Sequence, residues 1–524
     1  MESDLKALDF DAVRRLLERL TATPYGADAA RALEPAPDLP IARRMQAAVG
    51  AARAAIDAGD SPALGALPDI RAALRQAAAP GAALNANALH NLRTVLDAAA
   101  ALVPALRLRP ELCPGGDADL TPPGELVAEL TRTVHPSGRV REDASAELAQ
   151  LYAQQAALRG EAEEIVRRRA AQRDLAGQVT EPGRVAWHND RAVLRVRADA
   201  AERIKGVRRG SVAGGREVFV EPLQAVAVNN RIEAVAGRIG AEHQRILRAL
   251  TAVVRRHGEA LDRLLGALTW IDLALAAGRL SAAVNGHAPR LVDEPVIDLR
   301  EAYHPLLLLQ FGNGELERLV PLSVRLDGEQ RILMLTGPNT GGKTVVLKTV
   351  GLLASMAHCG LHIPAEGDCV IGAYRRVMVD VGDRQNLYHH LSTFAGHVEV
   401  LKRILGSADR DTLVLLDELG TGTDPEEGAA LAMAVLDELV GRGVQGIVNT
   451  HLAPLKEYAA RRPHLCNASM EFDPQRLRPT FRLRVGEPGG SLGLTIAAQS
   501  GLPEDLIGRA RDYLAGLAAG RRPQ

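Results

Sequence analysis

The sequence predicts a multidomain protein: an α-helical core with long coiled-coil lever arms and a small strand-containing clamp, followed by an α/β domain with a P-loop. Three observations predict it. Apolar residues step by threes and fours over two long runs, as a helical seam does. Short alternating stretches with glycines lie between those runs. Beyond about residue 295, apolar strand-like runs alternate with helical segments, the texture of a largely parallel sheet covered by helices.

Composition bounds the rest. The chain has 524 residues, 47% hydrophobic and 24% charged, which is globular rather than disordered. Lys plus Arg is 63 and Asp plus Glu is 64, a net charge of −1, so a uniformly basic nucleic-acid coat is excluded. Cys113, Cys359, Cys369 and Cys466 form no CxxC pair, which argues against a disulfide framework or zinc site. The start, MESDLKALDFDAVRRLL, lacks the apolar centre of a signal peptide, and no eighteen-residue apolar run occurs. A soluble cytoplasmic protein without a membrane partner is expected.

In chain order, residues 1–120 read as a helical core, with turn signals at TPYG, GDSP and APGA and a Pro/Gly/Asp-rich connector at 109–124. Residues 121–290 read as the lever helices. Leu148, Leu151, Gln155, Leu158, Ala162 and Ile165 form one seam, and Val228 through Ile271 a second. A helix of some fifty residues would reach roughly 75 Å, and pairing the runs would make an antiparallel arm. Its tip, 183–222, reads as strands. There Arg191, Arg195, Arg197, Arg203, Lys205, Arg208, Arg209 and Arg216 face only Asp199, Glu202 and Glu217. The cluster is either an electrostatic footprint for a phosphate backbone or the solvated surface of an Arg-rich protein.

The α/β domain spans 291–515, with 516–524 a tail. GPNTGGKT at 337–344 follows the apolar run 331–336 and precedes a helical run, the context a P-loop requires. Gly337, Pro338, Asn339, Thr340, Gly341 and Gly342 would turn backbone N–H groups onto phosphates at a helix N-terminus. Lys343 would reach the β- and γ-phosphates of ATP, and Thr344 would ligate Mg²⁺. In TLVLLDELGTGTDPEEG, the strand ends at Asp417, a second Mg²⁺ ligand. Glu418 is placed to polarise the attacking water. NTH at 449–451 follows the next strand, and His451 is the candidate sensor of the γ-phosphate.

GPNTGGKT, DVGDRQ, LSTF, LLDELGTGTDPEEGAAL and NTH, in this order, resemble the MutS ATPase, a relative of ABC-type ATPases. The start LDFDAVRRLLERLTATPYG, the segments IDLREAYHPLL and HIPAEGD, and His397 three residues after Phe394 resemble the second bacterial type, MutS-II. The resemblance covers essentially the whole chain, most strongly 297–515. It implies a homodimer with ATPase domains packed head to tail, in which Ser392, Thr393 and Phe394 contact the partner's nucleotide. It also implies that the lever helices and basic tip clamp nucleic acid, the tip through Arg195, Arg197, Arg203, Lys205, Arg208, Arg209 and Arg216.

The expected function is therefore an ATP-hydrolysing clamp on branched or duplex DNA that restrains homologous recombination rather than reading mismatches. The resemblance implies, as alternatives, a ribosome-binding ATPase that splits stalled or collided ribosomes; a third reading is an ATP-gated scaffold without a specific nucleic-acid ligand. Two departures qualify it. NLYHH at 386–390 differs from the family's usual Ser-containing acidic pattern, and the sequence ends at LAAGRRPQ, where such proteins continue into a linker and an Smr nuclease domain. No nuclease activity is expected from these residues.

Overall fold

In a computed structural model of the protein, residues 2–113, 115–181, 183–212, 214–311, 319–337, 342–381, 393–473, 478–489, 494, 497–498 and 501–518 are described. The chain forms two compact units. One comprises Leu67–Ala101 and Asp119–Leu265; the other comprises Met1–Ala66, Leu102–Ala118 and Gly266–Gln524.

In the first unit, helix Ala146–Ala170 is capped by Ser145 and packs along helix Leu223–Arg256. Leu148, Leu151, Leu158, Ala162 and Val166 bury against Val228, Ile232, Val235, Ile239 and Ile246. The pairs Ser145–Glu242, Glu147–Arg238 and Glu161–Arg231 run in opposite order along the two helices, which makes them antiparallel. The second apolar run is not one helix: it ends at Arg256, and a new helix, Gly258–Ala283, begins after His257. That helix is long and apolar enough to cross a membrane by composition, yet 78% of its most apolar window is buried in the fold.

Between the paired helices the chain makes β1 (Ala186–His188), β2 (Arg191–Arg197), β3 (Gly206–Ser211) and β4 (Glu217–Pro222). The sheet order is β1-β2-β4-β3, which leaves β3 on an edge. Ala192, Leu194 and Val196 share one buried face with Val218 and Val220, and Val193 on the other face is buried too.

The second unit carries β5 (Arg290–Val292), β6 (Ile297–Ala302), β7 (Leu322–Leu326), β8 (Ile332–Thr336), β9 (Val370–Gly372), β10 (Arg376–Asp380), β11 (Thr412–Leu416), β12 (Gln445–Asn449), β13 (Leu465–Asp473) and β14 (Arg478–Val485). A four-stranded sheet has the order β5-β9-β6-β7. A six-stranded sheet has the order β10-β11-β12-β8-β13-β14, parallel except for β14. β8, β11 and β12 are buried along their whole length, the pattern of central parallel strands.

One face of this sheet packs Met334, Val414, Leu416 and Val448 against Val400, Ile404, Ala432 and Leu436. On the other, Gly351 of helix Lys343–His358 lies so close to Leu415 and Leu8 that a Cβ there would meet them at 2.5 and 2.6 Å. The N-terminal helix is tied to the sheet through Asp4. Its carboxylate accepts from Val379 N at 3.0 Å and pairs with Arg403 at 2.7 Å.

Candidate nucleotide site

Parallel strands leave their C-terminal ends on one side, and four of the sequence-derived segments end there. β8 ends at Thr336, β10 at Asp380, β11 just before Asp417, and β12 at Asn449. Gly337 turns the chain with φ +127°, and Gly342 starts the following helix with φ +88°, a left-handed conformation that a side chain would strain. Pro338, Asn339, Thr340 and Gly341 lie outside the described residues.

Lys343 is buried, with Nζ donating to the Gly337 carbonyl at 2.5 Å. Burial pushes its pKa down, while Asp417 and Glu418 pull it back up. Thr344 Oγ1 donates to Asp417 Oδ2 at 2.7 Å. Asn449 Nδ2 donates to the other oxygen of the same carboxylate, and the Asp417 N–H reaches the Asp380 carbonyl at 2.8 Å. Asn449 is buried, and its Oδ1 has no hydrogen-bond partner among the described residues.

Glu418 is a non-glycine residue at φ +55°, a strained conformation of the kind that gathers at functional sites. The loop after it closes tightly: a Cβ on Gly428 would meet the Gly420 carbonyl at 2.0 Å. Asp424 then caps helix Pro425–Gly441 by accepting from Glu426 N and Glu427 N. Asp380, Phe394, His397, Asp417 and Glu418 share the lining of a cavity of about 10 Å³, room for one water. His397 Nδ1 lies 2.8 Å from Asp380 Oδ2.

Ser392 lies outside the described residues, as does the side chain of Thr393, which begins helix Thr393–Ser407. Phe394 packs on Gly422. His451 is exposed, two residues past β12. Sequence reasoning quoted Asp380 and Asn449 only as parts of DVGDRQ and NTH and gave neither its bond to Asp417. It also missed a cavity of about 210 Å³ beside Gly342, lined by Tyr303, His304, Leu319, Val320, Val345, Met470 and Phe481. No motif spacing marks these residues, because they meet only across the folded sheet.

The basic tip divides into two groups. Arg195 pairs with Glu217 and Glu181, Arg197 with Asp199, and Arg209 with Glu221. Glu221 is fully buried and also holds Arg191 and Asn229, so these arginines are tied into the sheet. Arg203, Lys205, Arg208 and Arg216 are exposed and form no ion pair among the described residues. Arg208 lies on edge strand β3, Arg203 and Lys205 just before it, and Arg216 just before β4.

A family model described as MutS domain V matches residues 333–518. Proteins named "Endonuclease MutS2" are similar over longer stretches. That of Pelotomaculum thermopropionicum is 41% identical over 74% of this chain and 48% of its own length. That of Symbiobacterium thermophilum is 37% identical over 98% of this chain and 64% of its own length, and that of Thermus thermophilus 36% over 98% and 66%. The chain thus spans between about half and two thirds of the length of these relatives.

Proposed function

This chain belongs to the MutS family, in its second bacterial branch, MutS-II, and from that premise we propose that it is a Mg²⁺-dependent ATPase that clamps nucleic acid as a homodimer. The observation that carries the reading is the contact between Thr344 and Asp417 beside buried Lys343.

Lys343, at the start of the helix after β8, is placed to meet the β- and γ-phosphates of ATP. Thr344 and Asp417 offer hard oxygen donors and would hold Mg²⁺, with the unpartnered Asn449 Oδ1 beside them as a further polar group, so the residues suit that ion. Bound there, Mg²⁺ supplies charge neutralisation across the phosphate oxygens. Glu418 takes the proton of the attacking water as the γ-phosphate leaves ADP. His451 senses the γ-phosphate, and the cavity beside Gly342 takes the base. Ser392, Thr393 and Phe394 reach the partner's nucleotide, so that closure of the dimer depends on ATP.

On the strand-rich tip, Arg203, Lys205, Arg208 and Arg216 make the phosphate contacts, with specificity for DNA shape rather than base sequence. The favoured ligand is branched DNA, and the favoured role is restraint of recombination. The test is the ATPase rate with no additive, four-way-junction DNA, linear duplex and collided ribosomes. Stimulation by junctions supports this reading; stimulation by ribosomes alone would replace it with a ribosome-splitting role. Unchanged hydrolysis with every ligand would leave an ATP-gated scaffold.

A further inference from the structure

Helix Thr393–Ser407 lays one stripe on the loop that carries Asp417 and Glu418. His397, Val398 and Leu401 stand three, four and seven positions after Phe394, the spacing of a single helix face. With residues 417–421 they line the cavity of about 10 Å³. A Cβ on Gly422 would stand 3.3 Å from the Phe394 Cβ and backbone N, so the first turn of the helix rests on the chain just past Glu418. One turn on, His397 Nδ1 lies 2.8 Å from Asp380 Oδ2, and because a carboxylate accepts, Nδ1 is the nitrogen that carries the proton.

Asp380 is the last residue of β10 and is nearly buried. Its main-chain carbonyl accepts from Asp417 N at 2.8 Å, and Leu419 N donates to the Asn449 carbonyl at 3.0 Å. Glu418 therefore lies between a backbone anchor on β10 and another on β12. Its φ of +55° is one that a non-glycine residue keeps only when its surroundings impose it. The β10 anchor is the one that the neighbouring helix holds by a side chain, through His397.

We infer that His397 is a positioning residue for Glu418: by holding Asp380 it fixes the β10 anchor and keeps the Glu418 carboxylate aimed at the attacking water. The inference rests on the reading of Glu418 as the base. A group that aims a base without touching substrate acts on the chemical step, since misplacing the base slows reaction without weakening ground-state binding.

The test is single-turnover hydrolysis of Mg²⁺–ATP by the full chain, with equilibrium binding of Mg²⁺–ATP measured by calorimetry. The variants are His397→Ala, His397→Phe, which keeps a ring on the loop, His397→Asn, which keeps an N–H near Nδ1, and Glu418→Gln with and without His397→Ala. His397→Ala and His397→Phe should hydrolyse about ten- to a hundredfold more slowly at unchanged binding, and His397→Asn should recover part of the rate. In the Glu418→Gln background, His397→Ala should slow hydrolysis by less than about twofold, because no base remains to be aimed. Equal slowing in both backgrounds would overturn the proposal. So would the wild-type rate in His397→Phe, or a loss of binding as large as the loss of rate, which would mean that His397 only supports the fold. Hydrolysis by Glu418→Gln as fast as by the wild type would overturn the role of Glu418 and the inference with it. No binding of Mg²⁺–ATP by the wild type would overturn the nucleotide-site reading itself.

Discussion

Thr344 Oγ1 donates to Asp417 Oδ2 at 2.7 Å, tying the first turn of the helix after β8 to the loop after β11 at a single point. Both groups are oxygen donors of the kind Mg²⁺ takes, and both adjoin a proposed catalytic residue, Lys343 or Glu418. Asp417→Asn is expected to lower Mg²⁺-dependent ATP hydrolysis by at least about a hundredfold, the scale of losing one electrostatic stabiliser. Thr344→Ser, which keeps the hydroxyl, should retain most activity. Steady-state phosphate release checks both.

Asn449 holds the remaining Asp417 oxygen, so it orients the carboxylate rather than touching substrate. Asn449→Ala is expected to raise the Mg²⁺ concentration needed for half-maximal hydrolysis by about ten- to a hundredfold. A Mg²⁺ titration of the ATPase rate measures it. A loss of kcat at unchanged Mg²⁺ dependence would contradict this role.

The two groups of tip cations should separate experimentally. Replacing Lys205 and Arg208 with Ala is expected to weaken DNA binding and to reduce the slope of log affinity against log salt by about 1 per contact. Stability should not change, since neither side chain forms an ion pair among the described residues. Glu221→Gln should instead destabilise the unit by roughly 3 kcal/mol, because Arg191 and Arg209 lose a buried charge partner. Fluorescence anisotropy at several salt concentrations and urea unfolding distinguish the outcomes.

The sequence puts Lys343, Thr344 and Asp417 at strand–loop–helix junctions. The Thr344–Asp417 contact itself was not legible, because it spans 73 residues and depends on the order β11-β12-β8 that brings the two strand ends to one side. Asn449 was visible as part of NTH, but its bond to Asp417 depends on β11 and β12 being neighbours in the sheet. The cavity of about 210 Å³ beside Gly342 is assembled from five separate segments, so no single stretch of sequence marks it. The fifty-residue apolar run is two helices that meet at His257, and the apolar residues are buried on both sides of the break, so their spacing alone could not reveal it. At the tip, the sequence counts charges but cannot say that Glu221 is buried beneath two of them.

Acid should weaken the unit that carries the six-stranded sheet before its carboxylates titrate. His362 is buried, with its ring Nδ1 2.9 Å from Ser281 Oγ, and burial pushes its pKa down to about 4. An unfolded histidine takes its proton near pH 6.5, so the unfolded state binds protons first. Stability is full above about pH 6.5 and falls as the pH drops toward 4, by up to about 3 kcal/mol from this residue. His304 adds in the same direction. Denaturant unfolding from pH 7.5 to 4.5 should show the fall, and His362→Gln should flatten part of it.

The most direct measurement is single-turnover hydrolysis of ATP by the wild type and Glu418→Gln, with nucleotide binding followed in parallel. The account predicts that Glu418→Gln binds Mg²⁺–ATP about as well as the wild type but hydrolyses it at least about a hundredfold more slowly, the lower end of the range for one acid–base group. Hydrolysis at the wild-type rate by Glu418→Gln, or no binding of ATP by either protein, would contradict it.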